Sequence, residues 1–411
     1  MNKCKNIIKI FMEIAVSFAI AILLFSCKNS KIVVSDVAMS ESTTVSMDEV
    51  QGIDNANEQI KLSDIAIERD NKFGCVDIDK TKDDFTDAGF TLGDSVDVTF
   101  SNGYEIKDIP YYDGFYANVG DLLVVAYPSN PSILVTENNS NALWDYANLD
   151  STDTVTIELR EKGKYKKNQD SLNLGKYSSD RNDYLSDEVF CNFRNVKVGN
   201  IKENILYRGA SPIDNLHGRA KYADRLIKNV GITYDIDLSD SDEDIKKNFV
   251  TDDFDSEYFK SLYDTGNITA LDMNFNIKSE AFAKKVVKAM TDMARSVGPN
   301  YVHCVEGKDR TGFVLMVAEG LASATYDEIV SDYMITYANY YGVTFENDKE
   351  KYNAIKSVYI DGMLRTIANL VDDGNDSIAL SDIDWTNVMG KYLSMNGMSM
   401  EDIDAWYQKF T

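Results

Sequence analysis

Asn300-Tyr301-Val302-His303-Cys304-Val305-Glu306-Gly307-Lys308-Asp309-Arg310-Thr311-Gly312 decides the fold. Tyr301 to Cys304 reads as a buried strand, and Thr311 to Ala324 is so apolar that it must be an interior helix. Between them, Val305 to Arg310 form a short loop that ends at a helix N-terminus. There, free backbone N–H groups and the helix dipole favour an anion. A Cys at the strand end and an Arg six positions later put a sulfur and a planar guanidinium on opposite sides of the loop. Gly307 lets the backbone curl without a side chain in the pocket. Arg310 can hold two oxygens of a phosphate in a bidentate fork. Backbone donors, Lys308 and Arg310 favour the thiolate of Cys304, the nucleophilic form, and Thr311 can hydrogen-bond the sulfur. The expected phosphate cradle is therefore Val305, Glu306, Gly307, Lys308, Asp309, Arg310 and Thr311.

Outward from this loop, strands alternate with helices. Ile205 to Tyr207 reads as a short strand, Ala220 to Val230 as an amphipathic helix closed by Gly231, and Ile232 to Leu238 as a strand. Ser279 to Val297 has Phe282, Val286, Met290, Met293 and Val297 on one helical face. Thr325 and Glu328 form a capping box for the next helix, and helices follow from about Lys349 to Val371 and from Ser399 to the end. The stretch 187–411 is thus an α/β domain, a central parallel-type sheet with flanking helices and a helical C-terminal cover.

The loop sequence HCxxGKDRTG resembles the signature of the protein tyrosine phosphatase superfamily, most of all the bacterial tyrosine/phosphoinositide phosphatases. Asn192-Phe-Arg-Asn-Val196 and Leu206-Tyr-Arg-Gly209 resemble a second element of the same family, with Asn195 in place of the usual Asp and Gly209 in place of the usual Ser. Ile236-Asp237-Leu238 echoes its next strand. The resemblance implies a cysteine-phosphatase fold, attack of Cys304 on phosphorus, charge stabilisation by Arg310 and the loop amides, and no metal or cofactor. A carboxylic acid must protonate the leaving oxygen. Asp309, inside the loop, fits relatives with the same GKDR sequence; Asp272, 32 residues before Cys304, is the alternative. The implied substrates are phosphorylated proteins, chiefly phosphotyrosine, or phosphoinositides. A phytase-like hydrolase of inositol polyphosphates and a silent phosphate-binding surface protein are the rival readings. Lys308 could meet a second, vicinal phosphate or only favour the thiolate. His303 is expected to orient Cys304 through the backbone, and His217 to be a surface or packing residue.

Before the α/β domain, residues 71–162 carry short β-rich runs separated by Gly, Asp and Asn. Ser95 to Phe100 alternates and ends at Asn102-Gly103, a hairpin signal; Asp121 to Tyr127, Ser132 to Thr136 and Asp153 to Leu159 continue the series. A small all-β barrel or sandwich is expected. Asp70 to Ile78, Tyr112-Asp-Gly114, Gly120 to Leu123, Asn138 to Leu143 and Asp153 to Glu158 resemble the C-terminal β-domain of S-adenosylmethionine hydroxide adenosyltransferases. That family's catalytic half has no counterpart here, so the implied role is docking or spacing. Residues 163–186 read as a linker.

The N-terminus reads as a targeting segment. Lys3, Lys5 and Lys9 precede the apolar run Ile14 to Phe25, too short for an ordinary span and suited to a secretory signal. Leu24-Phe25-Ser26-Cys27 resembles a bacterial lipoprotein cleavage box, so residues 1–27 are expected to be a signal peptide. Cys27 would be the lipidated anchor to the membrane at the cell surface, and residues 28–70 a polar tether.

Composition narrows the rest. The 411 residues exceed one typical core. A net charge of -25 argues against nucleic acid as a partner and against a loosely held polyanion. Only two histidines are present, which speaks against a multi-His zinc site. Ten acidic residues between Asp235 and Glu257 read as a solvated loop, because the Gly of a calcium loop is missing.

Overall fold

The computed structural model describes residues 59–128, 130–372 and 376–411. The signal segment, Cys27 and most of the expected tether lie outside the described residues.

Seven strands close an all-β barrel: β1 (Lys61–Arg69), β2 (Val76–Ile78), β3 (Ser95–Phe100), β4 (Glu105–Tyr112), β5 (Leu122–Val125), β6 (Ile133–Glu137) and β7 (Thr154–Glu161). Their order is β1-β2-β6-β5-β4-β3-β7, and β7 pairs back onto β1. Closure removes the exposed edges that would recruit foreign strands. Alternate residues such as Ile65, Ile67, Val96, Val98, Val155 and Ile157 fill the interior. Asn102-Gly103 does turn β3 into β4, with Gly103 at φ 91°. The start at Asn71 needs correction. Lys61 to Arg69 lies in the stretch read as tether but pairs with both β2 and β7. Its alternation is broken at Ser63-Asp64, where the register with β7 shifts.

The α/β domain is built on a five-stranded sheet in the order β11-β10-β12-β9-β8. Here β8 is Arg194–Asn195, β9 Leu206–Ala210, β10 Tyr234–Asp237, β11 Ile268–Ala270 and β12 Asn300–Cys304. All neighbours are parallel except β8 with β9. The helices that frame the site are α1 (Ala220–Val230), α2 (Glu280–Arg295), α3 (Asp309–Leu321), α4 (Tyr326–Tyr341), α5 (Lys349–Ile355), α6 (Gly362–Val371), α7 (Trp385–Met395) and α8 (Met400–Phe410). From Thr311 to Leu321 every residue of α3 is buried, so it runs through the domain centre. Thr325 and Glu328 make the expected capping box of α4. A π-helical turn, Lys356–Asp361, joins α5 to α6.

Residues 163–186 are more than a connector. A short helix, Lys166–Leu172, hydrogen-bonds the barrel through Gln169 Nε2 to Asp113 Oδ1 at 2.5 Å, while Leu172 enters the core of the α/β domain. Tyr116 and Val119 of the barrel pack against that core too. Lys72 Nζ of the barrel donates to Ser239 O at 3.1 Å and pairs with Asp272 Oδ1 at 3.0 Å. Asn276 Nδ2 donates to Phe73 O at 3.1 Å. Barrel and α/β domain are therefore joined through side chains, backbone and core.

Candidate active site

Cys304 ends β12, 3 % exposed, opposite Ala210 of β9. It is a free cysteine. The loop leaving it is held from outside by its carbonyls. Ser211 N donates to Val305 O at 3.2 Å, Tyr340 Oη to Glu306 O at 2.7 Å, and both Asn192 Nδ2 and Arg208 Nη2 to Gly307 O at 3.1 and 3.0 Å. With the carbonyls pinned outward, the amides of Val305 through Arg310 have no acceptor among the described residues. Six such donors at the N-terminus of a long helix can hold an anion without help from side chains.

The curl depends on Gly307. Its φ is +66°, and a Cβ there would lie 2.2 Å from the carbonyl oxygen of Gly209. The contact explains the glycine at 307; at Gly209, the departure from the family's usual Ser, a Cβ would run into the hydroxyl of Tyr301.

Arg310 donates from Nη1 to Met273 O at 3.2 Å, which fixes the guanidinium against the loop after β11. Asp309 begins α3; its carboxylate is half-exposed, 3.4 Å from Tyr333 Oη and 3.6 Å from Lys308 Nζ. Asp272 sits one residue before Met273 in a left-handed conformation, φ 41°, with its carboxylate turned to Lys72 of the barrel. Each candidate acid has a cation beside it, Lys72 for Asp272 and Lys308 for Asp309, and Asp309 is the one that belongs to the loop. Thr311 Oγ1 is buried without a hydrogen-bond partner, so the expected bond to the sulfur is not made here.

Lys308 is largely buried and lies between two carboxylates, 3.4 Å from Glu306 Oε2 and 3.6 Å from Asp309 Oδ2. Glu306 in turn accepts from Tyr177 Oη and lies 3.4 Å from His217 Nε2. Burial works against its charge, yet Lys308 and the His217 and Tyr177 donors hold its carboxyl well below the usual carboxylate range. His217, expected as a surface or packing residue, packs its ring on Tyr177 with centroids 5.2 Å apart, and meets the loop through Glu306 and through Tyr177 Oη at 2.9 Å. Tyr177, from the supposed linker, stacks on Tyr340 with ring centroids 5.0 Å apart. The sequence carried no sign of either, because both reach the loop from segments without periodicity.

Behind the cradle lies a buried ionic network. Arg208 and Arg194 both bind Asp332, at 2.5 and 2.8 Å, with Arg208 1 % exposed. The Asn192, Arg194 and Arg208 read as family signature thus act as braces for Gly307. Beside Cys304, His303 is fully buried and bonds Asp235 Oδ1 at 2.9 Å. Burial alone would lower its pKa, but Asp235 and Asp237 raise it to about 10. Its backbone oxygen accepts from Leu238 N at 3.0 Å, which ties the Cys304 strand to the end of β10.

The acidic run is corrected in part. Asp235, Asp237 and Asp240 are buried at the sheet end, and Asp242 to Asp244 form the first turn of a helix N-capped by Ser241, while Asp252, Asp253 and Asp255 lie in an exposed loop. Asp240 is pushed up to about 8 by burial and then by Asp237. Among the described residues no three His, Cys, Asp or Glu are grouped to hold a metal ion.

No curated protein matches the chain. The tyrosine phosphatase family model matches residues 189–411, more than half of the chain and the whole of the sheet, cradle and helical cover. The match begins just before the Asn192 brace and includes Cys304 and Arg310. The chain belongs to the tyrosine phosphatase family.

Proposed function

We propose that the protein hydrolyses phosphate monoesters, phosphotyrosine foremost, through a cysteinyl-phosphate intermediate. The observation that carries this reading is a buried Cys304 followed by a loop whose six amides have no acceptor among the described residues, ending at Arg310 in the first turn of α3. The Cys304 thiolate attacks phosphorus; a P–S bond forms and the ester P–O bond breaks. The amides and Arg310 stabilise the charge that spreads over the equatorial oxygens. Asp309 gives its proton to the leaving oxygen, and its carboxylate then takes one from the water that breaks the P–S bond and returns the thiolate. Asp309 is preferred over Asp272 because it belongs to the loop itself; both carboxylates have a lysine beside them, Lys308 at 3.6 Å and Lys72 at 3.0 Å.

Lys308 supports a single phosphate. Its ammonium is countered by Glu306 and Asp309, which leaves little charge for a second, vicinal phosphate and weighs against the phytase-like reading. Phosphoinositide monoesters remain within the proposed range, since their scissile phosphate needs only the cradle. The barrel is assigned no adenosyl chemistry. Its likeness to the adenosyltransferase domain rests on turns and strand positions, which carry fold and not function. The N-terminal reading places the enzyme at a bacterial cell surface, anchored through Cys27.

Hydrolysis of p-nitrophenyl phosphate tests the reading. Wild type is expected to turn it over and Cys304→Ser to lose all turnover while keeping its fold. A wild type that binds phosphate but does not hydrolyse the ester would establish the silent binder instead.

A further inference from the structure

The segment that fixes Arg310 is itself fixed by the barrel, which lies outside the residues matched by the family. Arg310 donates from Nη1 to Met273 O at 3.2 Å, which leaves Nε and Nη2 for two oxygens of a phosphate. Met273 therefore sets where the guanidinium stands. Immediately before it, Asp272 adopts φ 41°, a left-handed conformation that a residue with a Cβ keeps only where its surroundings enforce it. Here its N–H, carbonyl and carboxylate are all engaged. The N–H donates to Asp240 O at 3.0 Å, the carbonyl accepts from Lys285 Nζ at 2.5 Å, and the carboxylate meets Lys72 Nζ of the barrel at 3.0 Å. The same Lys72 ammonium donates to Ser239 O at 3.1 Å, so it joins the loop after β10 to the loop after β11. Farther along the segment the barrel takes hold again: Asn276 Nδ2 donates to Phe73 O at 3.1 Å and Ile277 N to Asn139 O at 3.2 Å. Residues 272–277 are thus gripped by the barrel at both ends, and the carbonyl that anchors Arg310 lies between the two grips.

We propose that the barrel positions the arginine of the cradle: Lys72, by holding Asp272 in its left-handed turn, is a positioning residue for Arg310. This rests on the phosphatase reading for the cradle and extends it to control of the cradle by a second domain. An unheld Asp272 relaxes toward ordinary backbone angles, the Met273 carbonyl shifts, and the guanidinium loses the anchor that aims Nε and Nη2 at the anion. The contact is an exposed ion pair with a hydrogen bond beside it, so releasing Lys72 should weaken anion binding about two- to fivefold.

Calorimetric titration of the full chain with inorganic phosphate tests the grip without any need for turnover. Lys72→Ala is expected to bind more weakly than wild type by that factor. Lys72→Arg, whose guanidinium can meet both Ser239 O and the Asp272 carboxylate, should bind as wild type does. Asn276→Ala removes no charge but releases the other end of the segment, so it should weaken binding too. Gln169→Ala loosens the barrel where it does not touch the segment, through the lost bond to Asp113, and should leave phosphate affinity unchanged. No phosphate binding by wild type, unchanged or tighter binding by Lys72→Ala, no recovery in Lys72→Arg, no loss in Asn276→Ala, or an equal loss in Gln169→Ala overturns the proposal. Failure of the phosphatase reading registers separately, as a wild type that hydrolyses no aryl phosphate while its phosphate affinity still depends on Lys72.

Discussion

Arg208 binds two things at once: Nη1 lies 2.5 Å from Asp332 Oδ2 and Nη2 donates to the Gly307 carbonyl at 3.0 Å. A buried ionic network is thereby mechanically coupled to the turn of the phosphate loop. Lysine would keep the charge opposite Asp332 but, with one nitrogen, could not also hold Gly307. Arg208→Lys is therefore expected to stay folded and to lose roughly tenfold in kcat/KM, about 1.4 kcal/mol of transition-state stabilisation. Arg208→Ala leaves Asp332 paired with Arg194 alone and should cost about 1–3 kcal/mol of stability. Kinetics paired with denaturant unfolding separates the two; equal activity in Arg208→Lys and wild type would deny the coupling.

Tyr177 and His217 act on the loop through Glu306. If they serve to hold that carboxylate, Tyr177→Phe should raise KM for p-nitrophenyl phosphate several-fold with a smaller change in kcat. The lost hydrogen bond to a charged group would cost about 1.5–3 kcal/mol of stability. His217→Ala should move KM in the same direction, and the double variant should fall short of the sum because both donors serve one carboxylate. Additive effects would assign the two residues separate roles.

Stability should fall as the solution becomes alkaline. Asp240, raised to about 8 by burial and Asp237, binds more protons folded than unfolded between about pH 4 and 8. His303, raised from 6.5 to about 10, does the same between those values: its contribution is full below 6.5 and lost as pH rises through 10. Both slopes have one sign. Wild-type Tm is expected to drop steadily from pH 6 to 9, and Asp240→Asn, which needs no proton to remain neutral, should flatten the part below pH 8. A flat wild-type profile would contradict both assignments.

The sequence made the cradle legible because the strand, the loop and the helix are contiguous, and each has its own period. Helix α1 was read to its last residue, Val230, because Gly231 takes the left-handed φ of 71° that ends a helix. The contacts that brace the cradle were not legible, since Tyr177, His217, Arg208 and Asp332 come together only through the tertiary fold. For Asp237 and Asp240, acidic composition concealed burial: a run of carboxylates reads as solvated until the sheet end covers it. The barrel's first strand was missed because Ser63 and Asp64 interrupt its pattern, and Asp64 adopts a φ of 55° where the register shifts.

The choice between Asp309 and Asp272 can be made by leaving-group dependence. An enzyme that protonates the departing oxygen is nearly indifferent to leaving-group pKa; without its acid, rates fall steeply for poor leaving groups. Asp309→Asn is expected to cost about 10²–10⁴-fold on phenyl phosphate and far less on p-nitrophenyl phosphate. Asp272→Asn should leave that ratio near wild type, its carboxylate being paired with Lys72 at 3.0 Å, and Lys72→Ala should have no larger effect than Asp272→Asn. If Asp272→Asn alone steepens the dependence, the loop that carries Met273 must move so that Asp272 leaves Lys72 and reaches the ester. The barrel contact would then be a brake on catalysis, and Lys72→Ala should raise kcat. That reversal of sign, read in one series of aryl phosphates, decides which carboxylate carries the proton.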